Sequence, residues 1–429
     1  MKKIITKHRK IITKIPSNYS NKIIDACKKF EPDSMNNQLP VVWKKAIGYQ
    51  IFDYSGNIWI DFTSGIFVTN VGHSHPKVKK AIQNVVKKDL LYSYYYPTKE
   101  RAEFGKLLTK TTGFEKALFL TTGSEAVEAA IKMALKYGVS KGKTRIIGFT
   151  NTFHGKTMGA QLAGGKTGEQ SWIPVNSHVI RMPFPTKSNL DLESLVNKFN
   201  SIDPQNIAAV IMEPYLGFSA EFMDVEYVKQ IEKWCKENDV LLIVDEIQAG
   251  FGRTGKLFAY QHYNINPDIV TCGKAISSNF PVSAVLSSSK IINICESFNS
   301  THGSNPIGMA AAKASLEVLI EENLIEESRR KGELLNKLLL EWKNESNGYI
   351  ENVNCKGLLA GIKISHENIN SCEFVDKIIE IAMKKGLLSV KTSSGTLKIG
   401  PPLSIPDDAL IEGINILKES FRECLGMLE

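Results

Sequence analysis

The stretch that says most about the fold of this chain reads Val240-Leu-Leu-Ile-Val-Asp-Glu-Ile-Gln-Ala-Gly-Phe-Gly-Arg-Thr-Gly255. Its first five residues are aliphatic, which is typical of a short strand buried on both faces of a sheet. Asp245 follows this strand directly, and Lys274 follows a second apolar run, Ile269–Cys272. Ligands of open α/β sheets bind beyond the carboxyl ends of the strands. We therefore expect Asp245 and Lys274 to face one crevice at that edge.

On both sides of this stretch, from about residue 76 to residue 290, short apolar runs alternate with helical patterns. The helical stretches include Glu125–Tyr137 and Val225–Glu237. The candidate strands are Ala117–Leu120, Arg145–Phe149, His178–Arg181, Ile207–Met212, Val240–Val244 and Ile269–Cys272. This alternation predicts an α/β fold in which helices cover both faces of a mostly parallel sheet.

The two ends of the chain have a different pattern. Residues 48–61 contain two alternating stretches around Ser55-Gly56-Asn57, which predicts a β-hairpin. A long helical stretch runs from Asn305-Pro306 to about residue 345, and a mixed segment follows. We therefore predict a large domain over residues 76–305. A smaller α+β domain is expected to combine an N-terminal segment, residues 1–75, with residues 306–429.

The composition excludes several classes of protein. With 43% hydrophobic and 23% charged residues over 429 positions, the chain has the profile of a globular protein of two or three domains. No apolar run reaches the roughly 18 residues of a membrane span. The net charge of +8 comes mostly from residues 1–15, which carry six basic residues and no acidic one. The remaining chain is close to neutral, which argues against nucleic-acid binding.

The basic N-terminal arm, residues 1–15, contains the sequence Lys-Ile-Ile-Thr-Lys twice, at 3–7 and at 10–14. It lacks the long apolar core of a secretory signal. Three fates remain open for the arm: it lies on the body of the protein, binds an anionic surface, or frays.

The cysteines do not indicate a disulfide framework or a metal site. Seven are present, they are widely spaced, and no C-x-x-C occurs. We expect free thiols in a reducing cytoplasm and no metal centre.

Three polar features at the predicted strand ends suggest chemistry. Thr121-Thr-Gly-Ser-Glu125 opens a helix, where free N–H groups and the helix dipole favour a phosphate, although a plain N-cap is the alternative. Asp245 needs a partner because an unpaired buried charge is costly, and a metal, a protonated ring nitrogen or Arg253 would serve. Lys274, if desolvated, becomes a nucleophile for Schiff-base chemistry, whereas a surface lysine would have no such role.

Together these features match the requirements of pyridoxal 5′-phosphate: a phosphate seat, a pyridinium partner and a Schiff-base lysine. In these residues the chain resembles the class III (ω-type) aminotransferases of PLP fold type I, the group of 4-aminobutyrate, ornithine and acetylornithine aminotransferases. The resemblance runs from about Gly48 to Leu403. Its motifs are Gly72-His-Ser-His-Pro76, Thr122-Gly-Ser-Glu-Ala126, Phe153-His-Gly-Lys-Thr157, Glu213-Pro214, Val244 to Gly255, Gly273-Lys274, Ser300-Thr301, Asn305-Pro306 and Pro401-Pro-Leu403.

The resemblance implies an enzyme that moves an amino group from an amine or amino-acid donor to a carbonyl acceptor by a ping-pong mechanism. Lys274 would form the Schiff base and carry protons, and Asp245 would keep the pyridine nitrogen protonated. The other implied cofactor contacts are Gly123 and Ser124 at the phosphate, Phe153 at the ring face, Gln248 at the ring 3-oxygen, Glu213 at that end of the pocket, and Thr301 at the phosphate of a neighbouring subunit. The family thus implies a homodimer with shared active sites.

Three positions where the family binds substrate differ from common relatives. Phe218 stands where many relatives carry a gating glutamate, and Lys398 stands where an arginine usually precedes the Pro-Pro-Leu run. Lysine offers a point charge in place of the two parallel hydrogen bonds of arginine. Lys398 therefore either binds a carboxylate or phosphate less rigidly, or is an exposed strand residue with the substrate held elsewhere. Ile66 is apolar where some ornithine-type relatives carry tyrosine, whereas 4-aminobutyrate-type relatives also carry isoleucine there, which disfavours ornithine as the donor.

Other classes of function fit less well. The nearest Walker A-like segment, residues 160–167, follows no candidate strand, which argues against a P-loop ATPase. No G-x-G-x-x-G follows a strand, which argues against a dinucleotide-dependent dehydrogenase. A non-catalytic binding protein would not need Asp245, Gln248 and Lys274 together. Within the chemistry of this cofactor, a racemase or epimerase, a lyase or an aminomutase remains an alternative to transamination.

Overall fold

A computed structural model of the chain describes residues 3–165, 178–185, 191–294 and 298–427. The chain divides into two compact units, which we call unit 1 and unit 2. Unit 1 combines Met1–His75 with Glu327–Glu429, and unit 2 is Pro76–Glu326. Cys295 and part of the Walker A-like segment lie outside the described residues.

Helices and strands are interspersed along the whole chain. The helices are α1 (Asn18–Phe30), α2 (Ser64–Phe67), α3 (Pro76–Val86), α4 (Lys99–Thr112), α5 (Gly123–Val139), α6 (Met158–Ala163), α7 (Leu192–Asn200), α8 (Val225–Glu237), α9 (Ser289–Ile292), α10 (Pro306–Glu321), α11 (Leu324–Glu345), α12 (Ser371–Lys385) and α13 (Asp407–Leu425). The strands are β1 (Ile4–Ile5), β2 (Lys10–Ile11), β3 (Trp43–Ile47), β4 (Gln50–Asp53), β5 (Ile58–Asp61), β6 (Lys116–Leu120), β7 (Arg145–Phe149), β8 (Val179–Met182), β9 (Ile207–Met212), β10 (Tyr215–Leu216), β11 (Glu221–Phe222), β12 (Leu241–Asp245), β13 (Ile269–Cys272), β14 (Ser283–Ser287), β15 (Ile350–Lys356), β16 (Leu359–Ile364), β17 (Leu387–Leu388), β18 (Val390–Lys391) and β19 (Thr396–Ile399).

Unit 2 is built on a sheet with the strand order β6-β14-β13-β12-β9-β7-β8. From β13 to β8 all neighbouring strands are parallel, whereas β14 runs antiparallel to both of its neighbours. This confirms the predicted α/β class with a mostly parallel sheet. Strands β9, β12 and β13 are buried along their whole length, as their aliphatic sequences predict.

The sequence did not predict β14. Its residues, Ser-Ala-Val-Leu-Ser, are bounded by serines, which disguise a buried strand. The structure buries both hydroxyl groups and satisfies them, because Ser283 donates to the carbonyl of Thr122 at 2.7 Å and Ser287 donates to that of Asp268 at 2.6 Å. Such tertiary partners are not visible in a local pattern.

Unit 1 contains the predicted hairpin, since β4 and β5 pair antiparallel around Ser55-Gly56-Asn57. Strands β1 and β2 of the basic arm pair with each other, and β2 also pairs with β5. Ile11 and His8 are almost fully buried. The described residues of the arm therefore lie on the body of unit 1, which is the first of the three alternatives left open by the sequence.

The second domain boundary falls after Glu326, not after residue 305 as the sequence predicts. The reason is that α10 packs against α3 and α4 of unit 2. Nearly every apolar residue of α10 is buried, so this helix belongs to the core that it covers. In the part of the chain that the structure describes, no helix is both long and apolar enough to cross a lipid bilayer.

A strained turn in unit 1 follows β5 and coincides with the short segment α2. Ser64, Gly65, Ile66 and Phe67 have φ angles of 49°, 59°, 65° and 64°, a left-handed path that costs residues with a Cβ about 1–2 kcal/mol each. Asp61 holds the start of the turn: its Oδ1 accepts hydrogen bonds from the Thr63 amide at 2.7 Å and the Thr63 hydroxyl at 2.6 Å. The other oxygen, Oδ2, lies 2.7 Å from Nε2 of buried His73.

Candidate active site

A cavity of about 190 Å³ opens in unit 2 at the carboxyl ends of β12 and β13. This is the edge of the sheet at which the sequence predicts the site. The predicted residues that line it are Gly123, Ser124, Phe153, Glu213, Asp245, Gln248 and Lys274. Three further lining residues, His154, Gly155 and Ile247, were not predicted.

Asp245 ends β12 and is buried. Its Oδ1 accepts hydrogen bonds from the Ile247 amide at 3.0 Å and the Thr271 hydroxyl at 3.2 Å. Its Oδ2 lies 2.7 Å from Nδ1 of His154. The carboxylate is therefore fixed at both oxygens, with His154 rather than arginine as the ionisable partner in this contact.

His154 is buried, and its second ring nitrogen, Nε2, has no hydrogen-bond partner among the described residues. Burial acts to lower the pKa of His154, but the hydrogen bond to Asp245 and the negative charges of Asp245 and Glu213 outweigh it and raise this pKa. The sequence contains one signal for His154, because this residue follows Phe153 in the family motif Phe153-His-Gly-Lys-Thr157. The sequence left a metal, a protonated ring nitrogen and Arg253 open as partners of Asp245, and His154 was not among them.

Lys274 begins a 3₁₀ turn directly after β13 and has a φ of 41°, a left-handed conformation that is uncommon for a lysine. Burial lowers the pKa of its ammonium, while the charges of Asp245 and Glu213 oppose this shift. The lysine that the sequence predicts at this edge thus shares a cavity with two carboxylates. A lowered pKa increases the fraction of neutral, nucleophilic amine at a given pH.

Glu213 follows β9, and its Oε2 accepts the Phe153 amide at 2.8 Å. Burial raises the pKa of this carboxyl to about 7; the charge of His154 opposes the shift and that of Asp245 adds to it. Glu213 therefore changes its charge near neutral pH, and it also fixes the backbone of the segment that carries Phe153 and His154.

The first turn of α5 is an N-cap, one of the two alternatives that the sequence left open, and it also lines the cavity. The Thr122 hydroxyl accepts the Glu125 amide, and the Glu125 carboxylate accepts the amides of Thr121 and Thr122, which is a complete capping box. The amides of Gly123 and Ser124 belong to the first helical turn and have no acceptor within the helix. These two amides and the helix dipole make this wall suitable for an anion.

Glycines leave the space that an anion needs. At Gly155, whose φ is 136°, an added Cβ would lie 2.2 Å from the Ser124 hydroxyl oxygen. At Gly123, a Cβ would lie 3.0 Å from the Ile247 side chain. Any larger residue at either position would narrow the phosphate end of the cavity.

The residues present fit pyridoxal 5′-phosphate. The glycine-lined helix start suits the phosphate, the fixed carboxylate of Asp245 suits a protonated ring nitrogen, and the amine of Lys274 suits the aldehyde. Among the described residues, no group of three or more histidine, cysteine, aspartate or glutamate side chains is arranged to hold a metal ion.

The remaining predicted residues do not line this cavity. In unit 2, Thr301 is exposed and Phe218 is half-buried. In unit 1, Ile66 lines a different cavity. Lys398 lies on β19, is 4% exposed, and places its ammonium 4.6 Å from the centroid of the Phe67 ring. The alternative that Lys398 is an exposed strand residue is therefore wrong, because β19 is buried throughout.

Comparisons with known proteins show which family the chain resembles over most of its length. A family model described as aminotransferase class-III matches residues 32–421. The acetylornithine aminotransferase of Methanothermobacter thermautotrophicus is 32% identical, covering 93% of this chain and 98% of the relative. The ornithine aminotransferase of Saccharomyces cerevisiae is 34% identical, covering 91% and 94%. The solved structure of the ornithine aminotransferase from Toxoplasma gondii, described with partial occupancy of PLP at its active site, superimposes with a TM-score of 0.87 at 26% identity and covers 97% of both chains.

Proposed function

The chain belongs to the class-III aminotransferases, and from that premise we propose which of its residues carry out the transfer. It is an aminotransferase that depends on pyridoxal 5′-phosphate. The observation that carries the assignment of roles is the shared cavity of Lys274, Asp245 and the glycine-lined start of α5.

When bound, the cofactor supplies an aldehyde that condenses with amines and a ring that accepts electrons. Lys274 would hold the cofactor through its amine, and its Nζ would accept and return the proton that the transfer requires. Burial supports this role because it keeps a usable fraction of the amine neutral.

Asp245 holds the proton on the pyridine nitrogen through its negative charge. His154 is a positioning residue, since its hydrogen bond to Oδ2 fixes the carboxylate. Its raised pKa favours the protonated imidazole, whose positive charge stabilises the negative charge of Asp245. Glu213 positions the Phe153 segment by accepting the amide of Phe153. The assignments of Phe153 to the ring face and of Gln248 to the ring 3-oxygen rest on the resemblance and on their places in the cavity wall.

A homodimer with shared active sites is supported by one surface of unit 2. Tyr92, Tyr94 and Tyr96 are exposed, and Tyr96 has 77% of its surface open. The Tyr92 hydroxyl donates to the carbonyl of Thr301 at 3.1 Å, so this aromatic surface is continuous with the residue proposed to reach a neighbouring cofactor. Apolar surface of this kind is typical of interfaces. Sedimentation of the full chain as a monomer would contradict the dimer.

The donor is proposed to be an amine or amino acid and the acceptor a 2-oxo acid. Lys398 is proposed to bind a substrate carboxylate by point charge, and Ile66 and Phe218 to contact the substrate. Acetylornithine and ornithine, which appear in the names of the relatives, are the first donors to test. Each would be mixed with the enzyme while the cofactor's absorbance is followed for conversion to the amine form. The described free cysteines support a reducing, cytoplasmic location.

The central experiment compares two lysines of unit 2 whose pKa values are both lowered by desolvation. Lys143 also has a pKa lowered by burial, but its Nζ donates to the carbonyls of Asn238 and Asp239 and does not line the cavity. We expect Lys274→Ala to lose turnover by at least about 10³-fold and to lose covalent trapping of the cofactor by borohydride. Lys143→Ala should retain both, at reduced stability. Turnover in Lys274→Ala, or trapping at another lysine, would overturn the assignment.

A further inference from the structure

The two carboxylates that share the cavity with Lys274 follow different strands, and a buried segment of unit 2 connects them. Asp245 ends β12, and Glu213 follows β9, its parallel neighbour in the sheet. The connecting segment consists of Glu246, the 3₁₀ turn Ala259–His262 and Tyr263, and we call it the brace. No residue of the brace lines the cavity, so the roles proposed above leave it without a function.

One end of the brace lies beside Asp245. Glu246 is fully buried, and its two carboxylate oxygens accept the amides of Ala259 at 2.9 Å and Tyr260 at 2.7 Å. Its own amide donates to the carbonyl of Thr271 on β13 at 3.0 Å. Donors of this kind replace the water that a buried carboxylate loses. Glu246 therefore attaches the start of the turn to the ends of two strands that border the cavity.

The other end of the brace reaches the backbone beside Glu213. The amide of Tyr263 donates to the carbonyl of Tyr260 at 3.0 Å, which holds Tyr263 to the turn. The Tyr263 side chain is 1% exposed, and its hydroxyl donates to the carbonyl of Pro214 at 2.6 Å. Pro214 directly follows Glu213. Because the proline ring limits rotation between this carbonyl and Glu213, the hydrogen bond also restrains Glu213.

The Tyr263 hydroxyl is suited to a lasting contact of this kind. Burial raises the pKa of its phenol, and the charges of Glu246 and Asp224 add to the shift, whereas the amide of Met223 opposes it. The hydroxyl therefore stays protonated, and stays a donor, near neutral pH. Burial alone does not supply such a contact: Tyr227 is also 1% exposed, and its hydroxyl has no hydrogen-bond partner among the described residues.

We propose that Tyr263 is a positioning residue for the transfer reaction, because its hydrogen bond to Pro214 completes the brace and holds the Glu213 carboxylate in the cavity. Glu213 accepts the amide of Phe153 at 2.8 Å, and its negative charge acts to raise the pKa of Lys274. A carboxylate that is no longer held acts less on both. The inference rests on the roles proposed above for Glu213 and Lys274.

The test compares Tyr263→Phe, which removes the hydroxyl and keeps the buried ring, with Tyr227→Phe as the matched control. Acetic anhydride reacts with neutral amines, so the pH dependence of Lys274 acetylation, followed by mass spectrometry on the cofactor-free full chain, measures the pKa of this lysine. Burial lowers that pKa, and the charges of Asp245 and Glu213 oppose the shift. We expect the midpoint to move to lower pH in Tyr263→Phe, because a displaced Glu213 charge supports the ammonium less. It should not move in Tyr227→Phe.

A double substitution separates positioning from a loss of stability. Glu213→Gln alone should move the midpoint to lower pH. Adding Tyr263→Phe should then produce no further shift, because the charge that the brace holds is already gone. Denaturant titration should show that Tyr263→Phe reduces stability in both backgrounds, since the buried hydrogen bond is lost in each. A purely structural role for Tyr263 would reduce stability and leave the midpoint in place.

An unchanged midpoint in Tyr263→Phe, an equal shift in Tyr227→Phe, or a shift that persists in the Glu213→Gln background would each overturn the proposal. If Tyr263→Phe does not fold, Glu246→Gln replaces it, because this variant loses one carboxylate oxygen at the other end of the brace. The same shift, and its loss in the Glu213→Gln background, are expected. Because acetylation is measured without cofactor, absence of borohydride trapping at Lys274 would contradict the proposed function and leave this test unaffected.

Discussion

Two buried aspartate–histidine pairs, one in each unit, share the hydrogen bonding of the carboxylate, although His154 uses Nδ1 and His73 uses Nε2. In unit 2, Asp245 lies 2.7 Å from His154, and in unit 1, Asp61 lies 2.7 Å from His73. In both, Oδ1 accepts the amide two residues further on and a threonine hydroxyl. The local polar motif is therefore the same.

The surroundings of the two pairs differ. His154 keeps a ring nitrogen without a partner among the described residues and lines a cavity with Lys274 and Glu213. The ring centroids of His73 and Trp43 lie 5.6 Å apart in an edge-to-face arrangement. Asp61 anchors a strained turn. A buried carboxylate paired with histidine is thus not by itself a catalytic sign. The nearby lysine and the glycine-lined space make the difference.

Substitution of each aspartate in turn tests this contrast with the largest expected effect. Asp245→Asn should lower kcat by about 10²–10³-fold because it removes the charge that holds the ring proton, while the fold remains intact. Asp61→Asn should cost about 1–3 kcal/mol in the free energy of unfolding, because it weakens a buried hydrogen-bonded pair. For both variants, steady-state kinetics measures kcat and denaturant titration measures the free energy of unfolding. Equal loss of kcat in the two variants would remove the distinction.

The phosphate end of the cavity can be tested with two glycines that both have positive φ. Gly155→Ala should weaken cofactor binding by about tenfold or more, since its Cβ would clash with the Ser124 hydroxyl. Gly142→Ala also places an alanine at a positive φ, 75°, but nothing lies within 4 Å of its Cβ. Equilibrium titration with pyridoxal 5′-phosphate distinguishes strain from loss of space. Cofactor affinity that is unchanged in Gly155→Ala would show that the phosphate binds elsewhere.

The histidines allow a finer comparison. His154→Gln should lower kcat about tenfold and alter the absorbance of the bound cofactor, because Asp245 loses its orienting partner. His73→Gln should reduce stability and leave that absorbance unchanged. A structural role for His154 alone would leave the spectrum of its variant the same as that of the parent enzyme.

The smallest expected effect is a shift in pH dependence. Above pH about 7, Glu213 is charged and favours the protonated form of Lys274. Glu213→Gln removes that charge, so the pKa of Lys274 should fall further and the neutral amine should form at lower pH. The yield of borohydride trapping against pH measures the midpoint. Glu226→Gln, on the exposed face of α8, is the control, and a midpoint that moves upward would contradict the assignment.

Much of the catalytic cavity could be predicted from the sequence because its residues follow recognisable strands. Aliphatic runs locate β12 and β13. Because ligands of open α/β sheets bind beyond the carboxyl ends of the strands, Asp245 and Lys274 are then expected at one site. His154 escaped prediction because its partner lies far away in sequence. Strand β14 escaped because its serines are satisfied by tertiary contacts, and α10 was assigned to the wrong unit because a helical pattern does not reveal which core it covers.

Apart from Ile66, the lining of the cavity in unit 1 could not be predicted from the sequence. It includes Asp376 on α12 and Lys391 on β18, and neither residue directly follows an apolar strand that the sequence predicts. The left-handed path at Ile66 is equally hidden, because isoleucine is among the residues least expected to adopt it.

The discontinuity of unit 1 has a consequence for how the protein is made. Strand β5 near the start of the chain pairs with β17, which lies close to its end. On the ribosome, all of unit 2 emerges before this partner exists, and domains generally fold as they emerge. Residues 1–75 therefore wait, with part of one edge of β5 unpaired, until residues 387–388 have emerged. During that interval this segment of the nascent chain is accessible to chaperones and to other nascent chains on the same mRNA.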